Sequence, residues 1–149
     1  QIKNIYLKES SFKFQGEEIF HTDKEKFNQL KYQISLKEIR YNKISEDDYL
    51  SNLGLVVQGI IPNDNGENET IFEVGCLYSC LAKIKGFTEE EIFKIQHINL
   101  SQGLYPYIRS EVNRIMSDSI IPKIQLQFVD FAGMYFNKFE NEKKEESND

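Results

Sequence analysis

Two extended stretches, Tyr49–Ile61 and Thr70–Ala82, are separated by eight residues that begin with Pro62 and the polar turn sequence Asn63-Asp-Asn-Gly66. Strand-like runs joined by an Asn/Asp/Gly turn predict an antiparallel hairpin. In the first run Leu53, Leu55 and Val57 share one face, while Val56 and Ile60 share the other. In the second, Phe72, Val74, Cys76, Tyr78 and Cys80 lie on one face. Ile71, Leu77 and Leu81 occupy the other, interrupted by Glu73, Gly75 and Ser79. A sheet with one solvated face alternates cleanly between apolar and polar residues, and this hairpin does not. Covering both faces needs more helical surface than the rest of the chain supplies, so one sheet face is expected to form an oligomer interface.

The remaining segments supply more strands and a helical half. Ile2–Phe14 alternates and reads as a strand, with a bulge expected near Ser10-Ser11. Residues 15–31 are polar with isolated apolar positions and read as an irregular crossing segment. Tyr32, Ile34 and Leu36 alternate in a strand of about ten residues, whose phase shifts at Lys37-Glu38 as a bulge would produce. Thr88-Glu-Glu-Glu91 has the form of a capping box, opening a helix that turns Ile92, Ile95 and Ile98 inward. Gly103 is expected to break or bend it, and Pro106 suits the first turn of a second helix. There Ile108, Val112, Ile115 and Met116 form one apolar stripe. Pro122 closes that segment, Ile124, Leu126 and Phe128 read as a short extended piece, and Phe131–Phe139 reads as an aromatic terminal helix. Val74, Cys76 and Tyr78, with Ile108 and Val112, are the expected oligomer-interface residues.

Charge and chemistry-bearing residues exclude several function classes. The 149 residues carry 24 Asp+Glu against 18 Lys+Arg, a net charge of −6, which disfavours a phosphate backbone as the main partner. Half of that excess lies in Glu140–Asp149, a segment with no apolar residue, expected to be a disordered acidic tail on a domain of residues 1–139. No apolar run approaches the roughly 20 residues of a membrane-spanning helix, and the first residues lack the apolar core of a secretory signal. Cys76 and Cys80, four apart on a strand, stand about 13 Å from one another, too far for a disulfide. Unpaired buried thiols suit a reducing cytoplasm. His21 and His97 have no spacing partner for a metal, and no glycine-rich phosphate loop or nucleophile elbow is present. A Cys–His97 nucleophile pair is the weakest reading, because thiols on an apolar strand face are ordinarily inert. Arg109 and Arg114, with Glu111 between them, have the pattern of a salt-bridged helix surface. Neither an enzyme nor a cofactor is expected. The positive signal is aromatic: Phe12, Phe14, Phe20, Phe27, Phe131, Tyr135, Phe136 and Phe139 flank the sheet segments and suit either ordinary core or an exposed groove for extended polypeptide.

Longer motifs point further. Leu104-Tyr-Pro-Tyr-Ile-Arg-Ser-Glu opens the second helix, and Val129-Asp-Phe-Ala-Gly-Met-Tyr-Phe136 opens the last. Gln1-Ile-Lys-Asn-Ile-Tyr-Leu-Lys-Glu-Ser-Ser-Phe12 and Asn68-Glu-Thr-Ile-Phe72 lie in the strands. In this order, over residues 1–139, they resemble the SecB export chaperones, whose main helix opens Leu-Phe-Pro-Tyr-Ala-Arg-Glu. The resemblance implies an α+β subunit with a four-stranded antiparallel sheet and two helices packed on one side, assembling as a homotetramer, a dimer of dimers. It implies ATP-independent holding of unfolded preproteins and delivery to the SecA motor, without nucleic-acid binding or membrane insertion. It gives Phe20, Phe27 and Tyr32, with Met134, Tyr135 and Phe136, the role of client-binding residues. For the motor contact it points to Glu9 and Glu73. Lys13 stands where a second first-strand acid is usual, and Gly75 aligns with the third-strand acid. Relatives of this fold also serve toxin–antitoxin systems, so a dedicated antitoxin client is the alternative.

Overall fold

The computed structural model describes residues 1–140, so the expected acidic tail lies, from residue 141, outside the described residues. The chain runs through β1 (Ile2–Phe14), two short helices α1 (Glu17–Thr22) and α2 (Lys24–Phe27), then β2 (Lys31–Lys43), β3 (Asp48–Pro62) and β4 (Asn68–Lys83). The strands form one antiparallel sheet in the order β1-β4-β3-β2, with the hairpin at its centre and β1 and β2 at its edges. Asn63 shapes the hairpin turn: its side-chain oxygen accepts from the backbone N–H of Asn65 and of Glu67, and Gly66 takes φ 79°.

The register decides which apolar face becomes core. Leu53 pairs with Tyr78, Leu55 with Cys76 and Val57 with Val74, so these side chains share a face. Onto that face the long helix α4 (Ser101–Ser117) lays Leu104, Ile108, Val112 and Met116, all fully buried together with Leu53, Leu55, Val57 and Val74. Each such side chain contributes about 1.5–3 kcal/mol of burial, which makes this layer the main stabilising contact of the subunit.

The helical half is more continuous than the sequence suggests. α3 (Glu89–Ile95) starts at the expected capping box, where Thr88 accepts from the Glu91 backbone N–H and Glu91 accepts from that of Thr88. It then passes through a π turn, Gln96–Leu100, directly into α4. Gly103 and Pro106 therefore lie inside a helix, and neither breaks it nor starts one. Pro106 is exposed, so the helical carbonyl left without its N–H partner can face water. Residues 15–31, expected to be irregular, fold into α1 and α2, the second capped by Asp23, which accepts from the Lys26 backbone N–H. On β1 the register shifts between Ile2 and Asn4 and between Leu7 and Glu9 rather than at Ser10-Ser11, and the phase shift on β2 falls between Lys37 and Arg40, as expected. The piece around Ile124–Phe128 pairs with no strand: Leu126 is buried but Phe128 is exposed under the Arg109 guanidinium. The terminal helix, α5 (Phe131–Tyr135), continues into a π turn over Phe136–Glu140.

The expected oligomer interface needs correction. Val74, Cys76, Ile108 and Val112 are buried inside the single subunit, facing one another across the sheet–helix layer, and have no surface left for a partner. Tyr78 stands at the rim of that layer, half-buried beside Tyr107. Glu111 likewise is not a surface residue: it is buried, and it accepts from Arg114 Nε at 3.0 Å and Nη2 at 2.7 Å. That bidentate contact holds its carboxyl below the usual range.

The core makes two stability predictions, both read by urea denaturation. Ile108→Ala should cost about 2–5 kcal/mol as a cavity in the sheet–helix layer. A Cβ at Gly59 would overlap the ring of fully buried Phe72 across the hairpin. Gly59→Ala should therefore cost about 1–3 kcal/mol, and an unchanged midpoint would show that the ring can yield.

Candidate functional site

The edge strand β2 builds the first candidate surface. Tyr32, Ile34 and Leu36 alternate, so all three side chains point to the helix-covered side, opposite Gly59, Val57 and Leu55. α4 lies over β3 and β4 and leaves this stripe to the returning chain. The Tyr32 hydroxyl donates to the Pro122 carbonyl at 2.7 Å, and the Tyr105 hydroxyl donates to that of Gln127 at 2.6 Å, which fastens segment 118–130 alongside the sheet. Ile34, 48% exposed, is left open between its two neighbours on the stripe.

Further along the stripe, α5 closes a groove of about 400 Å³ lined by Leu36, Lys37, His97, Phe131, Met134, Tyr135, Lys138 and Phe139. Asp130 caps α5 by accepting from the Gly133 backbone N–H, which fixes where the helix starts. The wall behind the groove is a packed aromatic cluster. Tyr135 is buried within ring-centroid distances of 5.3 Å from Phe139, 5.8 Å from His97 and 6.2 Å from Phe93. His97 lies 4.0 Å from Phe93 and 4.4 Å from Tyr41, and its Nδ1–H donates to the Phe93 carbonyl at 2.9 Å. Desolvation by these rings holds its pKa below the usual imidazole value.

The six client-binding candidates therefore separate. Met134, 47% exposed, stands on the groove wall, and Tyr135 supports that wall from behind. Phe136 turns away from the groove and lies under the Lys94 ammonium at 4.7 Å. Tyr32 sits on the same stripe as Leu36, about 13 Å along the strand. Phe20 and Phe27 pair edge-to-face at 5.5 Å on the crossing helices, half-buried, and do not line the groove. Leu36 and His97 are lining residues that the sequence reading did not single out. The alternation of β2 carried the signal for Leu36, whereas nothing local marked His97.

The opposite sheet face is a second surface. Glu9 and Glu73, the motor-contact candidates, both lie on it and share a shallow basin of about 420 Å³ over Gly54, Val56, Gly75 and Leu77. Its charge is not acidic. Lys8, Lys13 and Lys37 line the same basin, Lys13 stands directly opposite Glu73, and Glu73 accepts from Gln58 Nε2 at 2.8 Å.

Neither thiol is a ready nucleophile. Both thiols are free and buried, and burial pushes the Cys76 thiol up to about 12. The ring neighbours of His97 are aromatic. Among the described residues no three His, Cys, Asp or Glu side chains come together as a metal site, and no helix is long and apolar enough to cross a membrane.

Comparison with known proteins fits a family to this geometry. The family model described as Preprotein translocase subunit SecB matches residues 1–142. This chain belongs to the SecB family. The SecB protein-export protein of Bartonella quintana is 28% identical over 139 residues, covering 93% of this chain and 83% of its own. That of Alcanivorax borkumensis is 25% identical over 137 residues, covering 91% of this chain and 82% of its own. Among solved structures, a Mycobacterium tuberculosis SecB-like chaperone in complex with an antitoxin peptide superposes with a TM-score of 0.64 at 18% identity, over 87% of this chain and 90% of that one. The SecB family consists of protein-export chaperones, which hold polypeptides without catalysing a reaction.

The depressed His97 predicts a pH dependence. Because the folded state holds this imidazole neutral, its contribution to stability is complete above the unfolded-state pKa of about 6.5 and is lost as pH falls below it. Urea midpoints should fall between pH 7.5 and 5.5 in the parent protein and fall less in His97→Phe. Parallel curves for the two proteins would contradict the assignment.

Proposed function

We propose that this SecB-family chaperone captures unfolded preproteins, without ATP, in the groove between the β2 stripe and α5. What carries the reading is the succession of exposed Ile34, half-buried Leu36 and exposed Met134 beside a packed aromatic wall. An apolar strip along a strand edge accepts an extended chain, whose backbone can pair with the edge while its side chains enter the apolar groove. Met134 contributes a flexible, polarisable contact suited to varied client sequences. Tyr32, Tyr135 and Phe136 serve the groove from its end and from behind, and the Phe20–Phe27 pair extends the apolar surface onto the crossing helices.

The same reading takes the working form to be a cytoplasmic homotetramer, a dimer of dimers. Support comes from β1, a 13-residue edge strand whose outer backbone groups are unpaired within the subunit. Exposed Leu7 and Phe12 on β1 and Tyr107 on α4 lie beside that edge and suit its pairing with a second copy. Delivery to SecA through Glu9 and Glu73 is the less supported part, because three lysines share their basin. The antitoxin peptide in the Mycobacterium tuberculosis complex favours a second reading, a chaperone reserved for one such partner.

The test is suppression of aggregation of a chemically unfolded client in the absence of ATP. Ile34→Asp and Met134→Asp, both at exposed positions, should each weaken suppression by about tenfold or more while leaving the urea midpoint unchanged. Full suppression by the double variant would move the client site elsewhere. Native mass measurement should give four subunits, and a monomer would remove the assembly from the reading.

A further inference from the structure

The edge strand β2 presents more than its apolar stripe. Its regular part runs from Lys31 to Lys37, paired inward with β3 from Ile60 to Gly54, and the register shift between Lys37 and Arg40 ends it. On its outer side β2 is an edge, and among the described residues no backbone group of another segment bonds to Lys31–Lys37 there. The open edge is therefore a window of seven residues, bounded by the turn after α2 and by the bulge.

Successive side chains in this window point to opposite faces of the sheet. Tyr32, Ile34 and Leu36 make the stripe on the helix side. Lys31, Gln33, Ser35 and Lys37 make the other row, and all four are exposed. Among the described residues neither lysine forms an ion pair, and the row between them holds no carboxylate. The groove beside the window has the same sign: Lys37 and Lys138 are among its lining residues, and no described carboxylate is.

An extended chain that pairs with an edge strand sets its side chains directly opposite those of the strand, face by face. Opposite charges so placed stabilise the pairing, and like charges oppose it. We infer that the β2 edge selects client segments of seven residues with a carboxylate at each end and apolar residues at the second, fourth and sixth positions. The carboxylates stand opposite Lys31 and Lys37, about 20 Å apart along the strand, and the apolar residues meet Tyr32, Ile34 and Leu36. The pattern is the same read from either end, so either strand direction satisfies it. Basic segments are disfavoured at this window even though the whole chain carries a net charge of −6. The two lysines also oppose pairing of one β2 edge with another, because an antiparallel pair centred on Ile34 sets Lys31 against Lys37. The selection rests on the client groove proposed above and adds a sequence preference to it.

The test measures binding of two labelled peptides by fluorescence anisotropy at low salt. One is Glu-Leu-Thr-Leu-Thr-Leu-Glu flanked by Gly-Ser, and the other has Lys in place of both Glu residues. The acidic peptide should bind about fivefold tighter or more, and the gap should close at about 0.5 M salt. Lys31→Glu/Lys37→Glu, at two exposed positions, should reverse the order, and Lys31→Gln/Lys37→Gln should bring the two affinities together. Ile34→Ser should weaken both peptides alike, which separates the groove from the charge preference. Equal affinities, a tighter basic peptide, or an order unchanged by charge reversal would overturn the selection while Ile34→Ser still reports the groove. Binding indifferent to Ile34→Ser would overturn the groove itself. If neither peptide binds, a parent that suppresses client aggregation overturns the seven-residue window, and a parent that does not overturns the groove.

Discussion

Everything else in the subunit depends on one contact, the apolar stripe of α4 against the hairpin face. Leu104, Ile108, Val112 and Met116 fill the space over Leu53, Leu55, Val57 and Val74, and all are fully buried. Because α4 sits over the two central strands, the edges are not covered to the same degree. The exposed stripe on β2, the unpaired β1 edge and the open reverse face all follow from where this helix lies. A domain that centred its helix over all four strands would have no groove.

The terminal helix turns that uncovered edge into one side of a groove. A bare apolar stripe is an aggregation hazard, and proteins normally pair, shorten or charge such edges. Here the aromatic cluster of Tyr135, Phe139, Phe93 and His97 forms a rigid wall beside the stripe, and Lys37 and Lys138 place charge at its margin. The groove is thus largely apolar in its lining and bordered by two cations, the character the proposed client site requires. Membership of the SecB family agrees with a surface that has contacts to offer and no reactive group.

Much of this was legible in the sequence where one periodicity ran unbroken. The hairpin, its turn, the capping box at Thr88, the β2 phase shift and the α4 stripe all follow from spacing of two or of three to four residues. The reading failed where tertiary context outweighed local rules. Gly103 and Pro106 suggest a break, yet both lie inside α4, where Leu104, Tyr105 and Ile108 around them are buried and keep the helix continuous. Val74, Cys76, Ile108 and Val112 were expected at an interface because sequence shows that two apolar faces need cover, not which of them the subunit covers itself. His97 enters the groove only because Tyr41 and Phe139, far from it in the chain, converge on it beside its helical neighbour Phe93. Nor does spacing alone reveal that Glu9 and Glu73 share their face with Lys37, brought across from β2, as well as with Lys13 opposite Glu73.

The central claim is that an unfolded chain lies along the β2 stripe and the α5 wall. Photo-crosslinkers placed one at a time at Ile34, Met134, Leu77 and Ile120 sample the groove, the open face and the far end of α4, with an unfolded preprotein as the target. The account predicts strong capture at Ile34 and Met134 and background capture at Leu77 and Ile120. Equal capture at all four, or capture concentrated at Leu77, would contradict it.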